Sequence, residues 1–178
     1  MLIRIISIIL IIVLLLLIIR AIGKAVNSKT PKRGINKSIY VDINQSKQWT
    51  SIYGQDINNP VILYLHGGPG DPTSTYSYKY SRKWSDIFTI VTWDQRNCGL
   101  SYSEDQNNTT LTYDLFMKDG IEMTKYLTNY LHKDKITLIG HSWGTYLGCN
   151  LISEYPDYYD YYIGTGQLLM YTKMKWPL

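Results

Sequence analysis

The sequence predicts an α/β fold: a mostly parallel sheet with flanking helices, preceded by an N-terminal transmembrane helix. Three observations predict it. Short β-branched runs recur at residues 61–65, 88–93 and 136–139, each apolar on both faces. Strands covered by helices on both sides have this composition, whereas half-solvated strands alternate. Helix-length segments at residues 113–131 and 142–155 flank the last of these runs, and strand–helix alternation favours a parallel sheet with crossover connections. Finally, residues 5–19 hold only Ile, Leu and Val apart from Ser7.

That leader comes first in the chain. As a helix, residues 5–19 span only ~22 Å, short of the ~30 Å of bilayer hydrocarbon, but residues 1–22 reach ~33 Å if Arg4 and Arg20 extend toward the head groups. Residues 1–23 are read as a retained single-pass anchor whose partner is the lipid bilayer. A cleavable signal peptide is the rival, with Arg4 as its charged start and Ala21-Ile22-Gly23 as its cleavage site. Arg20, directly before that site, counts against cleavage. A buried core helix would carry some polar face, and the run has none. Six of the seven leader bases follow the apolar run, a bias that leaves the body in the cytoplasm.

Charge excludes a further class. The net charge is +4, yet Arg4, Arg20, Lys24, Lys29, Lys32, Arg33 and Lys37 precede any acid, so the body is net acidic. It has no general attraction to nucleic acid. Two cysteines and three histidines are too few for a disulfide scaffold or a zinc cage. At 178 residues, 45% apolar and 18% charged, the chain suits one ordinary domain and is not disordered.

Residues 24–37 read as a basic linker broken by Pro31 and Gly34. The body, residues 38–178, opens with a hairpin signal at 38–43 and 48–53. A strand at 61–65 follows Pro60 and runs into a glycine-rich turn, and a second occupies 88–93. Leu115, Ile121, Met123, Tyr126, Leu127, Tyr130 and Leu131 mark a long amphipathic helix over 113–131. Gly120 inside it costs about 1 kcal/mol relative to Ala, which argues against continuity there. A strand at 136–139 leads into a helix that Pro156 stops, and residues 161–163 suit one more strand. The Asn-x-Ser/Thr sequons at Asn44, Asn107 and Asn108 arise readily in an Asn-rich chain and carry no weight.

Three segments carry chemistry. The strand at 136–139 enters Gly140-His141-Ser142-Trp143-Gly144, a G-x-S-x-G followed by helical sequence. A nucleophile on such a turn sits in a strained conformation, and glycines two before and two after it supply clearance. The hydroxyl then stands at a helix N-terminus, where developing negative charge is favoured. The plain alternative is a helix-capping serine. Next, His66-Gly67-Gly68-Pro69-Gly70 directly follows a strand. Its glycines leave backbone amides free to converge, so Trp143 N–H with that of Gly67 or Gly68 makes an oxyanion hole. Read alone, the run is only a tight turn. In the third, Trp93 to Ser101, Asp94 and Arg96 suit a charged, hydrogen-bonded brace beside the site rather than direct chemistry.

HGGPG, WDQRNCGLS and GHSWGTYLG, in that order, resemble the proline iminopeptidase branch of the α/β-hydrolase superfamily. The resemblance spans about residues 39–167. It implies Ser142 as nucleophile, the Gly68 and Trp143 amides as oxyanion hole with Gly67 as a further candidate, and His66, Gly70, Asp94, Arg96, Gly140 and Gly144 as supporting residues. It implies acyl-enzyme hydrolysis that releases a peptide's N-terminal residue, with no cofactor and no metal. An esterase or lipase acting on a small ester uses the same parts. Asn97 stands where the family commonly has Gly, and Asn tolerates a left-handed backbone.

One departure is larger. The family order is serine, acid, histidine, with a helical cap inserted between, and here no histidine follows His141. His66, His132 and His141 match no base position in the motifs. A serine without its base is a poor nucleophile. The sequence therefore reads as a truncated, N-terminal half of a hydrolase with little activity. A non-catalytic, membrane-anchored remnant or binding module is the alternative.

Overall fold

The computed structural model describes residues 2–106 and 110–168; the sequons at Asn107 and Asn108 and the tail from 169 onward lie outside them. The chain divides into two units, 1–30 and 31–178.

The first unit is one helix, α1 (Leu2–Asn27), long and apolar enough to cross a membrane. Ser7, its one polar residue between Arg4 and Arg20, donates to the Ile3 carbonyl at 2.9 Å, so the hydroxyl is satisfied within the helix. The helix runs past Arg20 because Ala21, Lys24 and Ala25 are good helix formers. Residues 24–27 thus belong to the helix rather than to the linker.

The second unit is built on six strands: β1 (Ile35–Ile43), β2 (Ser46–Gly54), β3 (Val61–Leu65), β4 (Thr89–Trp93), β5 (Ile136–His141) and β6 (Tyr159–Thr165). Their order across the sheet is β1-β2-β4-β3-β5-β6. The neighbours β4, β3, β5 and β6 run parallel, while β1 and β2 form an antiparallel hairpin that joins at β4. Asn44 and Gln45, with φ of 45° and 64°, turn that hairpin in two residues. Both hairpin strands are longer than the sequence predicts, because pairing extends into the polar residues Asn36, Lys37 and Lys47.

Helices cover both sides, as expected. Leu63, Leu65, Val91, Trp93 and Leu138 pack with Phe116, Met123 and Leu127 of α3 (Tyr113–Leu131) and Leu147 and Leu151 of α4 (Trp143–Glu154). On the other face, Ile62, Ile90 and Ile139 form a smaller cluster with Tyr64 and Phe88. Trp84 of α2 (Tyr78–Trp84) helps line a shallow apolar cavity of about 150 Å³ there. Helix α2 leaves no signal in the residue pattern, being seven residues long and without a side-chain cap. Helix α3 is continuous through Gly120: a Cβ on Gly120 would stand 2.8 Å from Leu151 Cδ1, so the glycine admits α4 closely.

The register positions the site. Leu65, last residue of β3, pairs with Gly140 of β5. The two parallel strands therefore end side by side, and the HGGPG and G-x-S-x-G turns leave the sheet together.

Candidate active site

Ser142 connects β5 to α4 with φ 50° and ψ −114°, a backbone that costs a non-glycine residue about 1–3 kcal/mol and persists only where its surroundings enforce it. Those surroundings are visible. A Cβ on Gly140 would lie 2.8 Å from Thr145 N, and one on Gly144 would lie 2.9 Å from the His66 carbonyl oxygen. The glycines on both sides of Ser142 are thus pressed against neighbouring main chain. Ser142 N–H donates to Thr165 O (3.0 Å), and Ser142 O accepts from Thr145 N (2.9 Å) and Thr145 Oγ1 (2.6 Å). The Ser142 hydroxyl caps no amide of α4, so the plain capping reading does not describe it.

The HGGPG turn lies against this elbow. A Cβ on Gly67 would stand 3.4 Å from Ser142 Cβ. Gly68 and Gly70 take φ of 111° and 103°, reached readily only by glycine, and the Gly68–Pro69 peptide is cis. Gly67 O accepts from Asp71 N at 3.2 Å and faces His66 Nδ1 at 2.8 Å. Gly68 N–H donates to no described residue. Trp143 N–H opens α4, where helical amides have no partner within the helix. Two unclaimed amides thus lie beside Ser142, one in the adjoining glycine-rich turn and one in the next residue.

The loop after β4 holds the two turns in place. Asp94 is fully buried; its Oδ1 accepts from Thr73 N (2.7 Å), Thr73 Oγ1 (3.1 Å) and Ser74 N (2.9 Å), and its Oδ2 accepts from Leu100 N (3.0 Å). Asp94 and Arg96 do not form one brace, because they face different partners. Arg96 forms a bidentate pair with Asp119 of α3, Nε to Oδ2 at 2.7 Å and Nη2 to Oδ1 at 2.8 Å, and also donates to the Ile43 and Asn44 carbonyls. Asn97 is left-handed, with φ 58°. Between these residues, Gln95 accepts from the Trp143 indole at 3.1 Å, and its backbone N–H donates to His66 Nε2 at 3.1 Å. Gln95 Nε2 is buried without a partner. Burial lowers the His66 pKa, outweighing the nearby Asp94 and Asp71 carboxylates, so the ring is neutral. Cys98, packed against that ring, is pushed up to about 12 by burial and stays a thiol.

The histidines divide as follows. His66 is buried in the turn, His132 is the left-handed C-cap of α3, and His141 points its exposed ring at Thr165 Oγ1, 3.1 Å away. Among the described residues no three His, Cys, Asp or Glu side chains converge as metal ligands. Sequence reasoning missed Asp119 and Gln95. Asp119 sits in a run of mixed charge that looks solvent-facing, and only its partners Arg96, Gln48 and Asn44 reveal it.

Comparison with known proteins agrees with this architecture. The alpha/beta hydrolase fold profile matches residues 60–175. A probable aminopeptidase of Bacillus subtilis, YbaC, is 40% identical over 129 residues, covering 72% of this chain and 41% of the relative. A proline iminopeptidase of Clostridium botulinum is 32% identical over 133 residues, covering 72% of this chain and 43% of the relative. Among solved structures, the proline iminopeptidase-related protein TTHA1809 of Thermus thermophilus superposes with a TM-score of 0.58 at 22% identity, covering 69% of this chain and 42% of that one. The chain spans about two fifths of the length of these relatives. With the sheet order, the elbow at Ser142 and a profile matching most of the body, the chain belongs to the α/β-hydrolase fold family.

Proposed function

We propose that Ser142 is the nucleophile of a serine hydrolase of the aminopeptidase class, which releases the N-terminal residue of a peptide through an acyl-enzyme. The observation that carries this is the strained, uncapped Ser142 beside the unclaimed Gly68 and Trp143 amides. In such a reaction Ser142 Oγ attacks the acyl carbon, its proton passing to a base outside these residues and from there to the departing amine, and the carbonyl oxygen becomes an oxyanion. Gly68 N–H and Trp143 N–H, with Gly67 as the further candidate, stabilise it. The oxyanion collapses, the amine leaves with a proton, and water then releases the acyl group. Aminopeptidase names among the relatives favour a peptide substrate over the ester of the alternative reading.

The reading assigns no base within this chain. His66 is engaged on both nitrogens, His132 caps α3, and His141 faces Thr165. Turnover by these residues alone is therefore slow. In the same proposal residues 1–23 form a single-pass membrane anchor, supported by the apolar length of α1, and residues 38–178 carry the nucleophile and the oxyanion hole of the hydrolase fold.

A fluorophosphonate probe on the detergent-solubilised chain tests the serine. The expected result is slow labelling that is lost in Ser142→Ala and accelerated by added imidazole acting as an external base. Labelling that survives Ser142→Ala overturns the assignment. Fast labelling indifferent to imidazole overturns the absence of an internal base.

A further inference from the structure

The proposed oxyanion hole works only if the Gly67–Gly68 peptide faces the right way. In a trans peptide the carbonyl and the following N–H point in opposite directions. Whatever fixes Gly67 O therefore fixes the aim of Gly68 N–H. Two groups hold that carbonyl, His66 Nδ1 at 2.8 Å and Asp71 N at 3.2 Å.

An imidazole nitrogen donates to a carbonyl only when it carries the proton, and that is decided on the opposite side of the ring. There the Gln95 backbone N–H meets His66 Nε2 at 3.1 Å. A backbone amide only donates, so Nε2 accepts and is bare. The ring is neutral and fully buried, which leaves its one proton on Nδ1, aimed at Gly67 O. The sequence is a relay: Gln95 N–H sets the tautomer, the tautomer sets the carbonyl, and the carbonyl sets the amide. Gln95 also reaches the second arm of the hole, because its side-chain oxygen accepts from the Trp143 indole at 3.1 Å.

We propose that His66, held as the Nδ1–H tautomer by the Gln95 amide, is a positioning residue that locks the Gly67–Gly68 peptide with Gly68 N–H turned toward the oxyanion. This rests on the reading of Ser142 as nucleophile. It gives a buried histidine outside any catalytic triad a role in transition-state geometry, and it ties both arms of the hole to Gln95.

The first test is spectroscopic and independent of activity. Nitrogen-15 NMR of the histidine rings in the detergent-solubilised full chain, with His66 assigned through His66→Gln, is expected to find a protonated Nδ1 and a bare Nε2. That signature is expected at pH 8, where the ring is neutral. An Nε2–H ring overturns the relay.

The second test separates aiming from filling. In His66→Asn the shorter amide keeps a donor near the Nδ1 place; in His66→Gln the side chain reaches the Gln95 amide but leaves Gly67 O without its ring donor. Ser142 labelling is expected to stay within about threefold in His66→Asn and to fall about 100-fold in His66→Gln, the scale of one lost oxyanion donor. A space-filling role predicts the reverse ranking, since Gln is closer to His in size. Equal rates in two variants that melt alike overturn the proposal. If the unsubstituted chain shows no Ser142-dependent labelling, the nucleophile reading fails by itself. The relay is then judged on the ring spectrum and on the Gly68 amide resonance, expected to move in His66→Gln and to stay in His66→Asn.

Discussion

Gly144 lies so close to Leu65 that a Cβ on Gly144 would sit 2.6 Å from the Leu65 carbonyl carbon. This contact presses the turn bearing the serine onto the strand that feeds the glycine-rich turn. Gly144→Ala is expected to destabilise the domain by about 3 kcal/mol, because the added methyl meets main chain that has no room to retreat. Urea unfolding in detergent measures it. An unchanged midpoint would mean that the elbow and β3 separate freely.

Strain at Ser142 has a measurable sign. Ser142→Gly accepts φ 50° without a Cβ penalty, whereas Ser142→Ala keeps it. The glycine variant is expected to be more stable than the alanine variant by about 1 kcal/mol, although glycine ordinarily loses to alanine through chain entropy. Paired thermal melts decide it, and both variants are expected to lose probe labelling.

Arg96 and Asp119 are 5% and 0% exposed in their side chains, so removing one charge strands the other. Asp119→Ala is expected to cost about 3–5 kcal/mol, and the double variant Asp119→Leu with Arg96→Met much less than the sum of the two single changes. A double-mutant cycle by chemical denaturation checks this. Additive effects would show that the pair is not coupled.

Burial of His66 and Cys98 predicts opposite limbs of a pH–stability profile. The His66 pKa is lowered in the fold, so the unfolded chain takes up its proton first as pH falls through the ordinary histidine range near 6.5. Stability then drops on the acid side. The Cys98 thiol is raised from about 9 to about 12, so the unfolded thiol ionises first and stability drops as pH rises above about 9. His66→Gln is expected to flatten the acid limb and Cys98→Ala the alkaline limb, read from unfolding midpoints between pH 5 and 11. A limb unchanged by its substitution counts against that group as its source.

What the sequence disclosed depended on whether the controlling interactions were local. β3, β4, β5 and α3 were legible because burial on both faces, or on one helical stripe, leaves its period in neighbouring residues. The two turns were legible because glycine is needed wherever main chain passes main chain, as at Gly140 and Gly144. The partners of Asp94 and Arg96 were not, because Thr73 and Asp119 are 21 and 23 residues away and nothing local marks them. Gln95 escaped for another reason: its contact with His66 is made by the backbone, which any residue except proline supplies.

Asp119 gathers Arg96 from the loop after β4, Gln48 from β2 and Asn44 from the hairpin turn, while Gln48 in turn accepts from the Trp93 indole. Two stretches remote in sequence, the hairpin and the loop after β4, thus share one carboxylate carried by a third, helix α3. A chimera whose hairpin lacked Asn44 and Gln48, but which kept its own α3, would strip Asp119 of two of its donors. In this chain hairpin, loop and helix are therefore one connected polar block, which a breakpoint between them would divide.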